Sequence, residues 1–100
     1  MKNKSYKLAK LEKNRTSILT DKLDRCYICG RPKEHLHEVF FGKNRINSMK
    51  YGCIAPLCAS CHNKVHNDIQ LDIKLKKACQ RAFIDVYDID FLSIFRKNYL

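Results

Sequence analysis

Four of the six cysteines form two Cys-x-x-Cys pairs separated by 28 residues. A two-residue gap lets both sulfurs of a pair reach one cation, and four thiolates complete the tetrahedron that zinc accepts. A redox dithiol, the alternative, usually has a single such pair near a βαβ pattern, which this sequence does not show. The spacing therefore predicts one structural Zn²⁺ bound by Cys26, Cys29, Cys58 and Cys61.

The histidines lie beside the cysteine pairs at spacings that suit a second metal. His62 and His66 are four residues apart, so on a helix both imidazoles share one face and can bind the same cation. On a strand, His35 and His37 share a face and Glu38 lies on the other. One strand histidine beside the helical pair would give three nitrogen ligands. Because four cysteines already fill a zinc site, this second site would be open, as catalysis requires.

Short strands and a helix are expected to position these ligands. Alternation over residues 36–41 predicts a strand that ends at Gly42. Residues 54–57 predict a second, brief strand, which Pro56 confines to an edge. Nothing breaks a helix from 59 to about 66, and ligand residues recur there at helical spacing.

The segments before and between these elements are basic or turn-like. Residues 6–13 predict a short basic helix or arm, and residues 16–20 have a strand-like composition. Residues 29–31 predict a tight knuckle, in which Gly30 lets backbone amides turn toward the thiolates. Residues 42–52 are expected to form a basic loop or a short helix.

Two amphipathic helices are predicted after residue 66. The first has one apolar face with steps of four, three and four residues, and the second has aromatic residues on one side with Asp88 or Asp90 as N-cap. Both faces are expected to pack into the core. They comprise Leu71, Leu75, Ala78 and Ala82 in the first helix, and Phe91, Leu92, Phe95 and Tyr99 in the second.

The predicted fold class is α+β, with a zinc-stabilised, metal-bound ββα centre and flanking helices. At 100 residues the chain has room for one domain. We divide it into a basic N-terminal arm or strand over 1–25, a zinc and ββα core over 26–66, and C-terminal helices over 67–100. Apolar burial alone would stabilise so small a core only marginally, so a structural metal would add stability.

The formal net charge is +10, and the excess lies in residues 1–66, with 14 Lys+Arg against five Asp+Glu. This balance favours attraction to nucleic-acid phosphates over a membrane surface, since no basic helix with a broad apolar face is evident. No apolar run approaches the length of a membrane span, and residues 1–4 do not begin a signal peptide. We therefore expect an intracellular protein whose Cys53 and Cys79 are buried thiols.

Taken together, the motifs resemble the HNH (ββα-metal) endonucleases, and more narrowly a small group of phage and prophage proteins of that type. The resemblance extends over nearly the whole chain, from residues 10–15 through the cysteine and histidine motifs to residues 80–83 and 96–100. Its core is the first Cys-x-x-Cys pair, residues 37–42, Asn44, Arg45, Ser48, residues 50–52, and the run from Leu57 to His66.

The resemblance implies a metal-dependent nuclease of nucleic acid, usually DNA, and we expect double-stranded DNA in the cytoplasm of a bacterial host. By position, His37, His62 and His66 would bind the catalytic divalent ion (Mg²⁺, Mn²⁺, Ni²⁺ or Zn²⁺). The general base is usually a histidine following the first ligand, and here that residue is Glu38. Either Glu38 is the base, or His37 is the base while Glu38 orients it or reaches the ion, or His35 takes this role. Cys53 stands where the family's central asparagine usually falls.

Three cations after the first strand, Lys43, Arg45 and Lys50, are candidate phosphate contacts. The competing hypothesis for function is a zinc module that binds nucleic acid without cleaving it. A third is a zinc-stabilised protein–protein adaptor, for which no salt-sensitive DNA affinity is expected. No sequence feature decides the oligomeric state.

Overall fold

A computed structural model describes residues 9–10 and 13–100. From His35 onward the described chain is α+β, as predicted, with a two-stranded sheet and four α-helices. In chain order the elements are β1 (His35–Glu38), a 3-10 turn (Gly42–Asn44), α1 (Arg45–Tyr51), β2 (Ile54–Leu57), α2 (Ala59–Asn67), α3 (Ile69–Val86) and α4 (Phe91–Phe95).

The sheet pairs β1 with β2 in antiparallel register, so that His37 lies opposite Ala55 and Glu38 opposite Ile54. Every residue of β2 is buried, and α2 packs against both strands. The predicted β2 is confirmed. Pro56 has no N–H to donate, and its carbonyl accepts from Tyr27 N–H at 2.7 Å, which joins the first cysteine pair to the strand.

The first strand is shorter than the predicted 36–41, because the chain leaves the sheet at Val39. The buried Ser48 hydroxyl accepts from the Phe40 N–H at 3.1 Å and donates to the Phe40 carbonyl at 2.7 Å. Both polar groups of Phe40 are therefore satisfied by a side chain of α1 instead of a strand partner.

The prediction of a strand over 16–20 was wrong, because this segment is irregular. Ser17 Oγ donates to the Ile54 carbonyl at 2.6 Å and accepts from the Leu19 N–H at 3.0 Å. Ile18 N–H donates to the Gly52 carbonyl at 2.8 Å. Hydrogen bonds from a serine hydroxyl to nearby backbone groups compete with the backbone hydrogen bonds of a β-sheet. The segment therefore lies beside β2 without becoming a strand.

The predicted knuckle at residues 29–31 is confirmed. Gly30 has φ 80°, a left-handed conformation that favours glycine, and its N–H donates to the Cys26 carbonyl at 2.9 Å. Cys26 N–H in turn donates to the Arg31 carbonyl at 2.6 Å. The basic arm predicted over residues 6–13 lies largely outside the described residues.

The C-terminal helices cover one side of the core with aromatic rings. Rings of Phe40 and Phe95 lie 4.6 Å apart, and those of Phe83 and Phe91 lie 5.3 Å apart. The predicted face of α3 is correct at Leu75. The other deeply buried residues of α3 are Cys79, Gln80 and Phe83, while Leu71, Ala78 and Ala82 are half-buried.

The buried face of α3 is rotated relative to the predicted face because the ring of Phe83 is the one that contacts α4.

Asp90 caps α4 by accepting from Leu92 N–H at 3.3 Å, which confirms one of the two predicted caps. The helix ends at Phe95 and is followed by Arg96, whose φ is 65°, so Tyr99 lies beyond it. Leu92 is exposed. None of the described helices is long and apolar enough to cross a membrane.

Candidate metal centres

The first candidate centre is the set of four cysteines. Their sulfurs lie within 4.8 Å of one another, and Cys29 Sγ is 3.6 Å from Cys58 Sγ. Zinc–sulfur bonds of about 2.3 Å in a tetrahedron would place sulfurs about 3.8 Å apart. The geometry is therefore compatible with the predicted structural zinc site.

Two turns in the backbone bring these sulfurs together. The knuckle presents Cys26 and Cys29, while Cys58 occupies the N-cap of α2, where its sulfur accepts from the Cys61 N–H at 3.5 Å. Three of the four side chains are buried, and Cys29 is exposed. The site thus ties the loop before β1 to the junction of β2 and α2.

The electrostatics of this centre favour a bound cation. Burial by itself would raise the pKa of Cys26, but backbone N–H groups of Cys29, Cys58 and Ile28 lower this pKa to about 6. Burial and the neighbouring sulfurs raise the pKa of Cys61 to about 12. One thiolate forms readily and opposes ionisation of its neighbours, so a divalent ion is needed to hold four thiolates together.

The second candidate centre contains His37 from β1 and His62 and His66 from α2. Their nitrogens also lie within 4.8 Å of one another. His62 Nε2 is 3.0 Å from His66 Nε2, a separation close to the roughly 3.4 Å expected of two imidazole nitrogens on one tetrahedral zinc. The structure brings together the three histidines that the sequence motif selects.

His37 is the buried member of this set, with 4% of its surface exposed. Its Nε2 is buried and has no hydrogen-bond partner among the described residues. Burial, together with charge repulsion from His62 and His66, lowers the pKa of His37 to about 4. Burial and the neighbouring His66 also lower the pKa of His62. A neutral imidazole is the metal-binding form, so these residues fit a cation.

The three histidines line an open cavity of about 410 Å³. His35 lines it too, with its ring 4.6 Å from the ring of His62, but it does not belong to the group of three possible ligands. Phe41 forms another part of the wall, with ring centres 6.1 Å from His37 and 6.0 Å from His66. A ligand in this cavity would meet imidazoles on one side and an aromatic face on another.

Glu38 lies at the same cavity, and both of its carboxylate oxygens accept from arginines. Oε1 is 3.1 Å from Arg45 Nε, and Oε2 is 2.9 Å from an Arg15 terminal nitrogen. Of the predicted phosphate contacts, Arg45 is therefore adjacent to the site through Glu38. Lys43 and Lys50 are exposed on the 3-10 turn and on α1, outside the cavity lining formed by the described residues.

Sequence reasoning missed Arg15, Phe41 and the Asp72–Lys76 pair of α3. Asp72 Oδ2 is 2.7 Å from Lys76 Nζ, and both charges act on His37. The four-residue spacing of that pair is visible in the sequence, but nothing there connects it to β1. Arg15 falls in the segment over 10–15 that carries part of the resemblance, but nothing in that segment connects it to Glu38.

Comparisons of the chain with protein-family models, with curated proteins and with solved structures find no match. The resemblance to HNH endonucleases thus rests on the motif residues themselves.

Proposed function

We propose that the protein is a metal-dependent HNH-type endonuclease that hydrolyses phosphodiester bonds in double-stranded DNA. The observation that carries this proposal is the separation of two candidate metal centres, one enclosed by sulfur and one formed by three imidazoles at an open cavity. A structural zinc site uses four protein ligands, whereas a catalytic site leaves a position for substrate or water.

In this proposal His37, His62 and His66 hold the divalent ion of the reaction. When bound, such an ion neutralises charge on the scissile phosphate and on the leaving oxygen. The burial of His37 keeps its imidazole neutral and fixes its orientation. The four-cysteine centre orients α2, because Cys61 immediately precedes His62.

The general base is assigned to His35. His37 belongs to the ligand set, and both oxygens of Glu38 accept from arginines, so neither is well placed to take a proton from water. His35 is exposed, lines the cavity and contacts His62 through its ring. Its imidazole could accept a proton from a water that attacks the phosphate.

The proposed partner is the DNA backbone. A net charge of +10 favours association with phosphates, and the exposed Lys43 and Lys50 are available for contacts outside the cavity. The motif resemblance supports a phage or prophage origin and a site of action in the bacterial cytoplasm.

The test is cleavage of supercoiled plasmid by purified protein with Mg²⁺, Mn²⁺, Ni²⁺ or Zn²⁺. Nicking is expected for the wild type and loss of at least roughly a hundredfold in rate for His62→Ala and His66→Ala, because each removes a ligand of the reactive ion. Asn63→Ala, on an exposed position of the same helix, is the matched control and should cleave normally.

Metal content by mass spectrometry separates the two centres in the same samples. The histidine variants should keep one zinc per chain and lose the second ion. DNA binding without cleavage by the wild type in every metal would instead identify a non-catalytic module, and cleavage unaffected by both substitutions would contradict the proposed site.

A further inference from the structure

The turn between α3 and α4 presents an apolar groove at the surface of the protein. Three large apolar residues line this groove, and each is about half exposed: Ile84 (53%), Ile89 (46%) and Leu92 (45%). The groove has a volume of about 450 Å³. Single exposed apolar residues are ordinary, but several of them around one cavity are typical of an interaction site.

The charged groups that line this groove are carboxylates. Asp88 and Asp90 belong to the lining, and no lysine or arginine is found among the described residues that form it. Residues 84–92 contain three aspartates and no basic residue, although the whole chain has a net charge of +10. The groove is therefore a local acidic and apolar surface on a basic protein.

The stability of the fold accounts for only one of the three aspartates. Asp90 caps α4 by accepting from the Leu92 N–H. Asp85 lies in the last turn of α3, where the helix dipole disfavours a carboxylate and where no basic residue is present. Neither Asp85 nor Asp88 forms an ion pair with a described residue, and both are exposed. These two carboxylates can therefore meet a cation from outside.

The uncharged polar side chains at the groove already have partners. The buried Gln80 donates to Asn98 Oδ1 at 2.9 Å and accepts from the Tyr99 N–H at 2.8 Å. The Tyr87 hydroxyl donates to the Tyr51 carbonyl. A ligand in the groove would therefore be held by apolar contacts and by aspartate carboxylates.

We propose that this groove binds a protein partner through a basic amphipathic segment, whose apolar side chains enter the groove and whose lysines or arginines meet Asp85 and Asp88. The carboxylates would repel nucleic-acid phosphates and anionic lipid headgroups. A second copy of this chain fits less well, because it would bring another net charge of +10 against the first. Charge complementarity therefore selects a cationic, apolar polypeptide as the occupant.

The groove is separate from both candidate metal centres. None of its described lining residues belongs to the cavity of the three histidines or to the set of four cysteines. A partner bound at the groove would therefore leave the histidine cavity open. The proposed interaction goes beyond the nuclease function and does not depend on it.

The first experiment measures, by fluorescence anisotropy, the binding of a labelled peptide of leucine and lysine to the zinc-loaded protein without DNA. The peptide is about four helical turns long, with leucines at intervals of three and four residues that form one apolar face. We expect a Kd on the order of 10 μM, as for a small interface. A peptide of the same composition with dispersed leucines, and one with glutamate in place of lysine, should bind at least about tenfold more weakly.

The second experiment repeats the measurement with variants of the groove. Ile89→Ser and Ile84→Ser should each weaken binding of the leucine–lysine peptide roughly tenfold, because one buried apolar contact is lost. Ile73→Ser is the matched control, at an exposed isoleucine of α3 outside the groove. Asp88→Lys should also weaken binding roughly tenfold, whereas Asp21→Lys, the same change of charge at an exposed position outside the groove, should change affinity by less than about threefold.

Absence of binding by the leucine–lysine peptide would overturn the proposal, as would equal affinity of Ile89→Ser and Ile73→Ser. Equal binding of the glutamate peptide would do the same, because charge would then not select the partner. Sedimentation equilibrium of the protein alone tests the other occupant. A dimer that Ile89→Ser dissociates and Ile73→Ser does not would assign the groove to a second copy of this chain.

Zinc content and thermal unfolding show whether each variant is folded, and Ile84→Ser provides the comparison if Ile89→Ser is not. All of these substitutions change exposed residues, so they should unfold like the wild type. The peptide assay contains no DNA and no added divalent ion. Its result therefore stands whether or not the protein cleaves plasmid.

Discussion

The buried imidazole of His37 suits metal binding but lowers the stability of the fold. An imidazole nitrogen that is buried without a hydrogen-bond partner costs free energy, since it has lost water and gained nothing. The same burial lowers the pKa of His37 and favours its neutral imidazole, which is the metal-binding form. Such a residue is difficult to explain as a core side chain, because an apolar side chain of similar size would pack there without the loss.

His37→Leu should therefore stabilise the zinc-loaded protein in the absence of added divalent ions. We expect a gain of about 1 kcal/mol in the free energy of unfolding, from removal of the unsatisfied polar atom. The same variant should lose the stabilisation that added Mn²⁺ or Ni²⁺ gives the wild type, because a ligand-binding site in the native state is gone. Chemical denaturation with and without the ion measures both effects.

His35→Leu is the control for this prediction. His35 is exposed, so its replacement removes no buried polar atom and should give no comparable gain. A His37→Leu variant that is less stable than the wild type before any ion is added would show that the imidazole is a structural residue.

The secondary-structure elements were predicted best from the sequence where ligand spacing or a single apolar run determines the local structure. Strand β2 and helix α2 were predicted because residues 54–57 form a brief apolar run and because the ligands in α2 recur at helical intervals. The knuckle followed from Gly30. These features depend on residues close together in the chain.

Elements that depend on distant partners were predicted less well. Residues 16–20 have the composition of a strand, but the hydroxyl of Ser17 bonds to the carbonyl of Ile54 instead. The first strand ends early because Ser48 of α1 captures the backbone of Phe40. Arg15 reaches Glu38 from a distant part of the chain, and no local pattern contains that contact.

The ends of α1 and α3 are joined by Tyr87, whose hydroxyl donates to the Tyr51 carbonyl at 2.9 Å. The rings of the two tyrosines lie 5.4 Å apart. Burial raises the pKa of Tyr87 above its ordinary value of 10. The neutral phenol is thus favoured in the folded state, and its contribution to stability is complete below that ordinary pKa.

Tyr87→Phe should lower the free energy of unfolding by about 1 kcal/mol at neutral pH, the usual net value of one hydrogen bond. As pH rises through 10, Tyr87 ionises more readily in the unfolded than in the folded wild type. This ionisation lowers the free energy of unfolding of the wild type. The difference between wild type and variant should therefore shrink in alkaline solution. Urea denaturation over this pH range measures it, with Tyr27→Phe, at an exposed tyrosine, as the control.

At the scale of the whole molecule, the two candidate centres share α2. Cys58 and Cys61 fix its N-terminal turn, and His62 and His66 present the other centre from the same helix. The knuckle, β2 and α2 all meet at the cysteines, so a zinc ion there would hold the frame on which the histidines depend. Loss of this ion should thus affect both stability and the second site.

Removal of the cysteine-bound ion should unfold the protein. Structural zinc contributes roughly 10–16 kcal/mol in small zinc-dependent peptides, which is as large as the net stability of a typical domain, about 5–15 kcal/mol. Cys26→Ser should accordingly contain no tightly bound zinc, lose cooperative thermal unfolding and fail to bind a divalent ion at the histidines. Circular dichroism and metal analysis of the purified variant measure these effects.

Cys79→Ala separates loss of zinc from loss of a thiol. Cys79 is fully buried outside the cluster, and a side-chain hydrogen bond with Cys53, together with burial, raises the pKa of its thiol. Its substitution leaves a small cavity that should cost about 1 kcal/mol, by analogy with other deletions of small buried groups. One zinc per chain and a cooperative transition should remain. If Cys26→Ser contained no zinc and still unfolded cooperatively at the same temperature as Cys79→Ala, the proposed role of the four cysteines would be contradicted. The fold would then be stable without any ion.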